Sequence, residues 1–329
     1  MIPSCCFAMN QQEPTMITGG AGFIGSHIAD RLISSGTEVT VLDNFSSGNK
    51  ENLRACIEKS SFRLVVGNIT NPKDLLPNLK DIKTIYHMAA YPEVRTGYEN
   101  PELSYTENIH GTYILLENIR KSNVEKIMFA SSSVVYGEPN VIPTPETYGP
   151  LLPISPYGGS KLACEGLISS YCNNYGIKGV MIRIANVVGS RSRHGVIWDF
   201  INKLKKNKEE LHILGDGKQT KSYIHVNDCV DGFFFCSNNA KNNVEVFNLG
   251  NDSKIDVDSI GKIVCKNMDL NDVRIIHDGG TIDGRGWIGD VRQMQLDISK
   301  LKKLGWSPKI SSLDTVELAS KELIKEACI

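Results

Sequence analysis

The sequence predicts an α/β protein, in which a doubly wound parallel sheet is followed by a smaller C-terminal α/β domain. Through the first two-thirds of the 329 residues, short apolar runs alternate with helical patterns. This alternation is typical of a parallel sheet with helices on both faces. The apolar runs are largely continuous, as expected of strands that are buried on both faces. After about Asn186 the elements become shorter and are separated by Gly, Asp and Asn.

The predicted elements of the first domain each have a local signal. Residues 15–18 lead into a glycine-rich turn and a helix over 23–35, and the β-branched run 38–42 ends at Asp43. The remaining apolar runs predict strands at 63–66, 84–88, 126–130 and 179–184, and the longest helical patterns cover 101–122 and 156–175. We place the first domain at residues 1–186 and the second at 187–329, and we expect part of 226–250 to return to the first sheet.

Composition and charge exclude several classes of protein. The chain carries 36 basic and 37 acidic residues, a balance that does not suit a protein that coats nucleic acid or a membrane surface. No apolar run reaches the roughly 18 residues that span a bilayer. The nine cysteines are scattered without a C-x-x-C pair, which favours buried thiols in the cytoplasm over a zinc site. Residues 1–14 lack the segments of a secretory signal, and we expect a loose extension there.

The glycines in residues 18–25, TGGAGFIG, predict a cofactor loop. Gly19, Gly22 and Gly25 lie between a predicted strand and a predicted helix. Such a turn needs positive φ and a close approach of the backbone to a pyrophosphate, and the helix N-terminus presents free N–H groups to it. Asp43 ends the second strand 18 residues after Gly25, where a carboxylate accepts hydrogen bonds from the adenosine ribose and repels a 2′-phosphate. The sequence therefore predicts a Rossmann-type domain that binds NAD rather than NADP.

A tyrosine, a lysine and a serine cluster predict the reacting groups. Tyr157 and Lys161 are four residues apart on a predicted helix, and hence lie on one face. An ammonium near the phenol, together with a positive nicotinamide ring, would favour the phenolate, whose ordinary pKa is about 10. The serine cluster Ser131-Ser132-Ser133 ends the fifth strand, at the edge where open α/β sheets bind their ligands.

These motifs, with others in the same order along nearly the whole chain, resemble the NAD-dependent sugar-nucleotide epimerase/dehydratase family of extended short-chain dehydrogenases/reductases. The matching segments are TGGAGFIGSH (18–27), LDN (42–44), HMAA (87–90), NIHGT (108–112), ASSSVVYG (130–137), SPYGGSK (155–161), RIANVVG (183–189), YIHVNDCVDG (223–232), FNLG (247–250) and GDVRQMQLDISKLKKLGW (289–306). The resemblance implies that Ser132, Tyr157 and Lys161 are catalytic, with Ser132 chosen because it lies four residues before Tyr136. It adds to the predicted NAD contacts Phe23, Ile24, Asn44, Asn68, Ile69, Met88, Ala89, Ala90, Tyr157 and Lys161.

The resemblance also implies a nucleotide-sugar substrate that contacts Ser132, Tyr157 and Asn186. Three departures from the family pattern stand out: Asn68 replaces an Asp, Lys221-Ser222 replaces Arg-Asp, and Trp287 replaces an Arg. A buried diphosphate still needs cations, and arginine suits phosphate oxygens best. The candidates are Arg191, Arg193, Lys221 and Arg285. We expect structural roles for His87, Asn108, His110 and His225.

The implied reaction is inversion at C4 of a nucleotide-linked hexose, with UDP-glucose and UDP-galactose as first candidates, through a 4-keto intermediate. UDP-N-acetylglucosamine and UDP-glucuronate stay open, because Met294 stands where some family epimerases have a bulky Tyr. Family 4,6-dehydratases carry Asp-Glu after the catalytic Thr, whereas Ser133 and Val134 stand here, and Val134 also disfavours C5 decarboxylation. A non-catalytic NAD-binding regulatory protein is a further alternative, although such proteins typically lack the Tyr-Lys pair. Family analogy finally implies a homodimer formed through helices 101–122 and 156–175.

Overall fold

The computed structural model of the chain describes residues 13–93 and 96–327, so nearly all of the predicted extension 1–14 lies outside the described residues. The strands are β1 Thr15–Thr18, β2 Val39–Asp43, β3 Phe62–Val66, β4 Thr84–His87, β5 Lys126–Ser132, β6 Lys178–Ile184, β7 Asn186–Val188, β8 Glu210–Leu214, β9 Thr220–Lys221, β10 Tyr223–His225, β11 Val244–Leu249, β12 Ile255–Asp256, β13 Arg274–Asp278 and β14 Gln293–Met294. The helices are α1 Phe23–Ser34, α2 Arg54–Ile57, α3 Pro72–Leu75, α4 Pro101–Leu103, α5 Gly111–Ile119, α6 Pro156–Tyr175, α7 Val196–Lys206, α8 Val226–Asn239, α9 Val257–Asn267, α10 Ser299–Leu304 and α11 Ser312–Ala327.

Seven parallel strands form the main sheet, in the order β11-β6-β5-β4-β1-β2-β3. The predicted Rossmann-type doubly wound fold is thereby confirmed. Both faces of the sheet are covered, because Ile127 and Phe129 of β5 pack into one hydrophobic layer and Met128 between them packs into the other. Strands β2 and β3 are added on one side of β1, and β4, β5 and β6 on the other side. The strand order therefore reverses between β1 and β4, and this switch point is where an open α/β sheet binds its ligand.

Two elements differ from the sequence prediction in ways that matter for the site. β5 continues through Ser131 and Ser132, which pair with Arg183 and Ile184 of β6. The serine cluster therefore lies at the strand end, as predicted, although the strand itself continues two residues beyond the predicted bound at Ala130. The predicted helix 101–122 is interrupted by a π-helical segment, Ser104–His110, whose wider turns place Asn108 in the interior.

The later part of the chain has a hydrophobic core of its own. It includes Phe200 of α7, Leu211 of β8, Val264 of α9 and Leu323 of α11. β11 nevertheless pairs with β6 in the main sheet, so the segment after α8 belongs to that sheet. The division into a nucleotide-binding domain over 1–186 and a substrate-binding domain over 187–329 stays a prediction. Within 13–93 and 96–327, every helix is too short or too polar to cross a membrane.

Candidate active site

The glycine loop after β1 leaves no room for side chains. Gly19 has a φ of +70°, and a Cβ there would lie 2.6 Å from the backbone nitrogen of Ala89. A Cβ on Gly25 would lie 2.4 Å from the carbonyl oxygen of Gly19. Gly22 is the N-cap of α1, so the free N–H groups of the first helical turn begin at Phe23. A tight backbone cradle at a helix N-terminus fits the pyrophosphate of a dinucleotide.

Asp43 is fixed beside this cradle. Its Oδ2 accepts a hydrogen bond of 2.8 Å from the Ala21 N–H, and its Oδ1 accepts one of 2.8 Å from the Phe45 N–H. Burial raises the pKa of the Asp43 carboxyl, and the two hydrogen bonds partly oppose this shift. The first of these bonds ties the carboxylate to the glycine loop, where a ribose-binding acid is required. The chain thus positions the group that we predicted to select NAD.

The other predicted cofactor contacts surround the same strand ends. Asn44 is exposed next to Asp43, and Ile69 is buried. The side-chain oxygen of Asn68 accepts a hydrogen bond of 3.0 Å from the Thr70 N–H. A carbonyl oxygen has a second lone pair, so Asn68 can still accept from an adenine amino group. The Met88 N–H donates to the carbonyl of Thr18 at 3.0 Å, which brings the backbone of 88–90 against the cradle.

Ser132 and Tyr157 meet at the carboxyl end of β5. The Tyr157 hydroxyl forms a hydrogen bond with Ser132, and Tyr157 lies in the first turn of α6, which Ser155 caps through the Gly158 N–H. Burial raises the pKa of Tyr157 above its ordinary value, and the Ser132 hydrogen bond opposes this. Without cofactor the tyrosine is therefore a neutral phenol, and the lowering that we expected from a nearby ammonium does not dominate in the polypeptide alone.

Lys161 lies one turn after Tyr157 and is only 2% exposed. Its Nζ donates a hydrogen bond of 2.9 Å to the carbonyl of Ala130 and lies 4.8 Å from the Phe129 ring centroid and 5.7 Å from that of Tyr157. Burial lowers the pKa of Lys161 to about 8, although Cys164 and Glu165 oppose the shift. The lysine is thus a cation held inside the protein.

Two residues for which we expected structural roles brace these groups. His87 is buried between Thr18 and Thr112, with its ring nitrogens 2.8 and 3.0 Å from their hydroxyl oxygens. Burial lowers the pKa of His87 to about 3, so the ring is neutral. The Asn108 amide donates to the Ser160 hydroxyl at 2.8 Å, which ties the π-helical segment to α6.

Two of the four predicted substrate cations, Lys221 and Arg285, lie together around Asp290. Lys221 forms an ion pair of 2.6 Å with the buried Asp290, and Arg285 donates to the backbone carbonyl of Asp290 at 2.9 Å. Arg285 also forms an ion pair of 2.5 Å with Glu138, which follows the end of the V-Y-G segment. Arg193 is exposed. Asp290 and Glu138 were not predicted from the sequence as site residues, although the matching segment 289–306 contains Asp290 and could have indicated it.

Trp287 completes this cluster. Its ring centroid lies 5.5 Å from the Lys221 Nζ. Among the residues that the structure describes, the buried Nε1 of Trp287 and the buried hydroxyl of Ser222 have no hydrogen-bond partner. Asn186 donates from its amide to the Ser222 carbonyl at 3.2 Å, next to the cluster. Donors without partners beside a cation indicate a place where an oxygen-rich ligand gains hydrogen bonds.

Arg191 lies elsewhere, against α1. Its Nη2 forms an ion pair of 2.7 Å with Asp30, and its backbone N–H donates to Glu326 of α11 at 2.9 Å. The N–H of Ser190 donates to Glu322 of α11 at 2.8 Å. Residues 190 and 191 therefore form a clasp between the cofactor-loop helix and the last helix. This placement does not support the expected contact of Arg191 with the substrate diphosphate.

A glycine cradle at the switch point of a parallel sheet, beside a hydrogen-bonded Ser–Tyr pair and a buried lysine, defines a dinucleotide-dependent enzyme of the short-chain dehydrogenase/reductase class. Residues 15–250 match the model of the NAD dependent epimerase/dehydratase family, and the chain belongs to that family. The predicted family and the predicted cofactor, NAD, are thereby confirmed.

Individual relatives are similar over nearly their whole length. The UDP-glucose 4-epimerase of Mycolicibacterium smegmatis is 33% identical over 90% of this chain and 94% of its own. A crystal structure of a UDP-galactose 4-epimerase is 38% identical, with a TM-score of 0.84 over 95% of this chain and 99% of its own. The UDP-glucuronic acid 4-epimerase from Bacillus cereus, solved with UDP-glucuronic acid and NAD, is 29% identical, with a TM-score of 0.85 over 95% and 99%.

Proposed function

We propose that the protein is an NAD-dependent epimerase that inverts C4 of a nucleotide-diphosphate hexose, with UDP-glucose and UDP-galactose as the first pair of substrates. The observation that carries the proposal is the hydrogen bond between Ser132 and Tyr157 beside the buried Lys161. This set can accept a proton from a sugar hydroxyl and return it. The relatives include 4-epimerases of UDP-sugars as well as UDP-glucuronic acid decarboxylases and a dTDP-glucose 4,6-dehydratase, and all of these names specify a nucleotide sugar, which favours that substrate class over other alcohols.

The proton is handled by the chain's own side chains. Tyr157, as the phenolate, accepts the proton of the sugar 4-hydroxyl, and Ser132 donates a hydrogen bond to the same oxygen as its charge changes. Lys161 favours the phenolate electrostatically and is available to hold a ribose hydroxyl. Bound NAD would accept and return the C4 hydride, and its positive nicotinamide would supply the stabilisation of the phenolate that the polypeptide alone lacks.

Inversion requires that the sugar present both of its faces to the same groups. The diphosphate must therefore stay anchored while the 4-keto sugar turns about its linkage. We assign the anchor to Lys221 and Arg285, because these two predicted cations meet around Asp290. Their acidic partners, Asp290 and Glu138, already neutralise them, so a diphosphate has to compete with carboxylates for the same cations. Asn186 is assigned to the sugar side of the anchor.

The residues after Ser132 argue against two related reactions. Dehydration and C5 decarboxylation need an additional acid or base near C5 and C6, yet Ser133 is a buried neutral residue and Val134 is apolar. Epimerisation needs no such group, because the hydride returns to C4 and the proton returns to the oxygen on C4.

A panel of UDP-sugars with product analysis by NMR tests the proposal. UDP-glucose, UDP-galactose, UDP-N-acetylglucosamine and UDP-glucuronate are incubated separately with the protein. Interconversion of 4-epimers without net loss of water or carbon dioxide is the expected result. The control is Tyr157→Phe, which keeps the shape of the ring and should keep NAD while losing most turnover. Release of a 4-keto-6-deoxy sugar, of a pentose or of nothing from every substrate would contradict the proposal.

Assembly and compartment follow from the same family reasoning. We propose a homodimer through 101–122 and 156–175, because these helices expose Tyr105, Tyr113 and Tyr175 at 59%, 41% and 50%. Sedimentation velocity of the wild type and of Tyr113→Glu checks this assembly, and a monomeric wild type at micromolar concentration would contradict it. The six described cysteines are free and buried, which supports a reducing cytoplasm. A role in galactose metabolism there follows from the proposed UDP-glucose and UDP-galactose substrates.

A further inference from the structure

A buried ion pair lies directly behind the reacting groups. Arg183 of β6 and Glu165 of α6 form two hydrogen bonds, of 2.7 Å from Nη2 and 3.0 Å from Nε, and their side chains are 7% and 6% exposed. Replacing such a pair by well-packed apolar residues is often neutral or stabilising, because removing two charges from water costs several kcal/mol per ion, roughly as much as their attraction returns. Stability alone therefore does not account for charges at these positions.

The pair touches each segment that carries a reacting group. Glu165 is one turn beyond Lys161 and two turns beyond Tyr157, on the same face of α6. Its Oε1 accepts a hydrogen bond of 2.6 Å from the hydroxyl of Ser131, the residue before Ser132. One carboxylate therefore joins the strand end that bears the serine to the helix that bears the tyrosine and the lysine.

Arg183 extends the same network beyond Ser132. Its Nη1 donates to the Tyr136 hydroxyl at 2.9 Å, and that hydroxyl donates to Asn248 at 2.7 Å. Tyr136 ends the 3-10 turn Ser133–Tyr136, in which the Val134 N–H donates to the Ser132 hydroxyl at 3.4 Å. Ser132 is thus held on both sides, through Ser131 to Glu165 and through Tyr136 to Arg183.

We infer that Glu165 and Arg183 are positioning residues for the proposed epimerase reaction, which fix Ser132 against Tyr157 and Lys161 and set the electrostatic surroundings of the Lys161 ammonium. The inference rests on the proposed function for its catalytic part. Its electrostatic part concerns the polypeptide itself and can be tested without turnover.

The charged groups around Lys161 determine how the Glu165–Arg183 pair affects the charge state of its amine. The titratable groups that face it are Tyr157, Cys164 and Glu165 from α6 and His87 from β4. Cys164 and Glu165 are the groups whose negative charge would favour the ammonium. Burial raises the pKa of the Cys164 thiol, and Tyr157 and His87 are neutral in the cofactor-free chain, so Glu165 carries this charge at neutral pH. Loss of the Glu165 charge removes a negative charge that favours the Lys161 ammonium. It also leaves the positive charge of Arg183 unpaired, which disfavours the ammonium further. Loss of the Arg183 charge leaves a carboxylate unpaired and favours the ammonium.

Glu165→Gln and Arg183→Gln should therefore shift the pKa of Lys161 in opposite directions. With lysine labelled with ¹³C at Cε, and the Lys161 resonance assigned through Lys161→Met, NMR titration should show the pKa falling in Glu165→Gln and rising in Arg183→Gln. Shifts of roughly one pH unit are expected for the loss of one buried charge that interacts with the ammonium. The alkaline limb of kcat should move the same way in each variant, and kcat should fall about tenfold with little change in KM. Glu125→Gln, which removes an exposed carboxylate paired with Lys83 just before β5, is the matched control and should change neither quantity.

A merely structural pair predicts a different pattern. If both variants lose stability while the Lys161 resonance and the alkaline limb stay in place, or move in the same direction, the inference is wrong. Ser131→Ala decides the positioning part if a glutamine variant fails to fold, because it deletes only the bond from Glu165 to the strand. Its kcat should fall several-fold at unchanged KM, and an unchanged kcat would overturn that part. If the wild type turns over no UDP-hexose, the proposed function fails, whereas the opposed titration shifts still test the electrostatic part.

Discussion

Lys161→Met should make the NAD-free protein more stable at neutral pH while abolishing turnover. Burial lowers the pKa of Lys161 from the ordinary 10.5 to about 8. At about 1.4 kcal/mol per pKa unit, this difference corresponds to about 3 kcal/mol of unfolding free energy. The folded-state pKa lies below the unfolded-state value, so the penalty is complete below pH 8 and disappears as the pH approaches 10.5. Methionine has a similar length and carries no charge.

Two favourable contacts of the lysine offset part of this gain. The variant loses the hydrogen bond to the Ala130 carbonyl and the contact of the ammonium with the Phe129 ring, each worth about 1 kcal/mol. The net stabilisation expected at pH 7 is therefore about 1 kcal/mol. The pH dependence of the difference in unfolding free energy is the more decisive quantity. Loss of the two contacts cannot by itself make this difference change between pH 8 and 10.5 as the titration of a buried lysine does.

Urea denaturation of the NAD-free wild type and of Lys161→Met, measured from pH 7 to 10.5, provides the test. The unfolding free energy of the wild type should rise relative to the variant by up to about 3 kcal/mol over this range. Other titrating groups are common to both proteins and cancel in the difference. Lys178→Met, at the exposed first position of β6, is the control and should give a constant difference. Parallel curves for the wild type and Lys161→Met would refute the reasoning.

Three further predictions concern the cofactor, the serine and the substrate anchor. Asp43→Ala should narrow the preference for NAD over NADP, measured by binding to stripped protein, and equal affinities in the wild type would contradict the role of the carboxylate. Ser132→Ala should lower kcat by a factor of about 10²–10³, whereas Ser133→Ala should do much less, and the reverse ranking would reassign the serine. Glu138→Gln should lower KM for the UDP-sugar by up to about fivefold without changing NAD occupancy, because Arg285 loses a competitor of the diphosphate. An unchanged or higher KM would show that Glu138 does not compete.

The sequence was sufficient for the features that depend on local pattern. The glycine spacing predicted the turn, its positive φ at Gly19 and the helix that follows, because few residue types tolerate that geometry. The end of β5 was not predictable in the same way. Small polar serines carry no strand signal, and Ser131 and Ser132 are extended because β6 pairs with them. The π-helical segment was also missed, since one wider turn hardly disturbs a helical pattern of apolar residues.

Long-range contacts account for the rest. Arg191 has the charge that a phosphate site needs, but its partners Asp30 and Glu326 lie 161 and 135 residues away, and no local pattern encodes that arrangement. Arg183 did carry a signal, because an arginine inside the apolar strand GVMIRI requires a buried acidic partner. The sequence alone did not identify which acid this is. The fold selects Glu165 by placing α6 against β6.

The clasp at residues 190 and 191 links the C-terminal helix to the helix that begins at the cofactor loop, and we expect this link to couple the two helices when NAD binds. Arg191 holds α1 through Asp30, while Glu322 and Glu326 of α11 hold the backbone of the clasp. Fraying of α11 therefore releases a restraint on the helix whose first turn receives the pyrophosphate. By thermodynamic linkage, if NAD binds better when α1 is held by the clasp, NAD must also favour the docked α11. Slower amide hydrogen exchange in 312–327 on addition of NAD would report this coupling, far along the chain from the glycine loop.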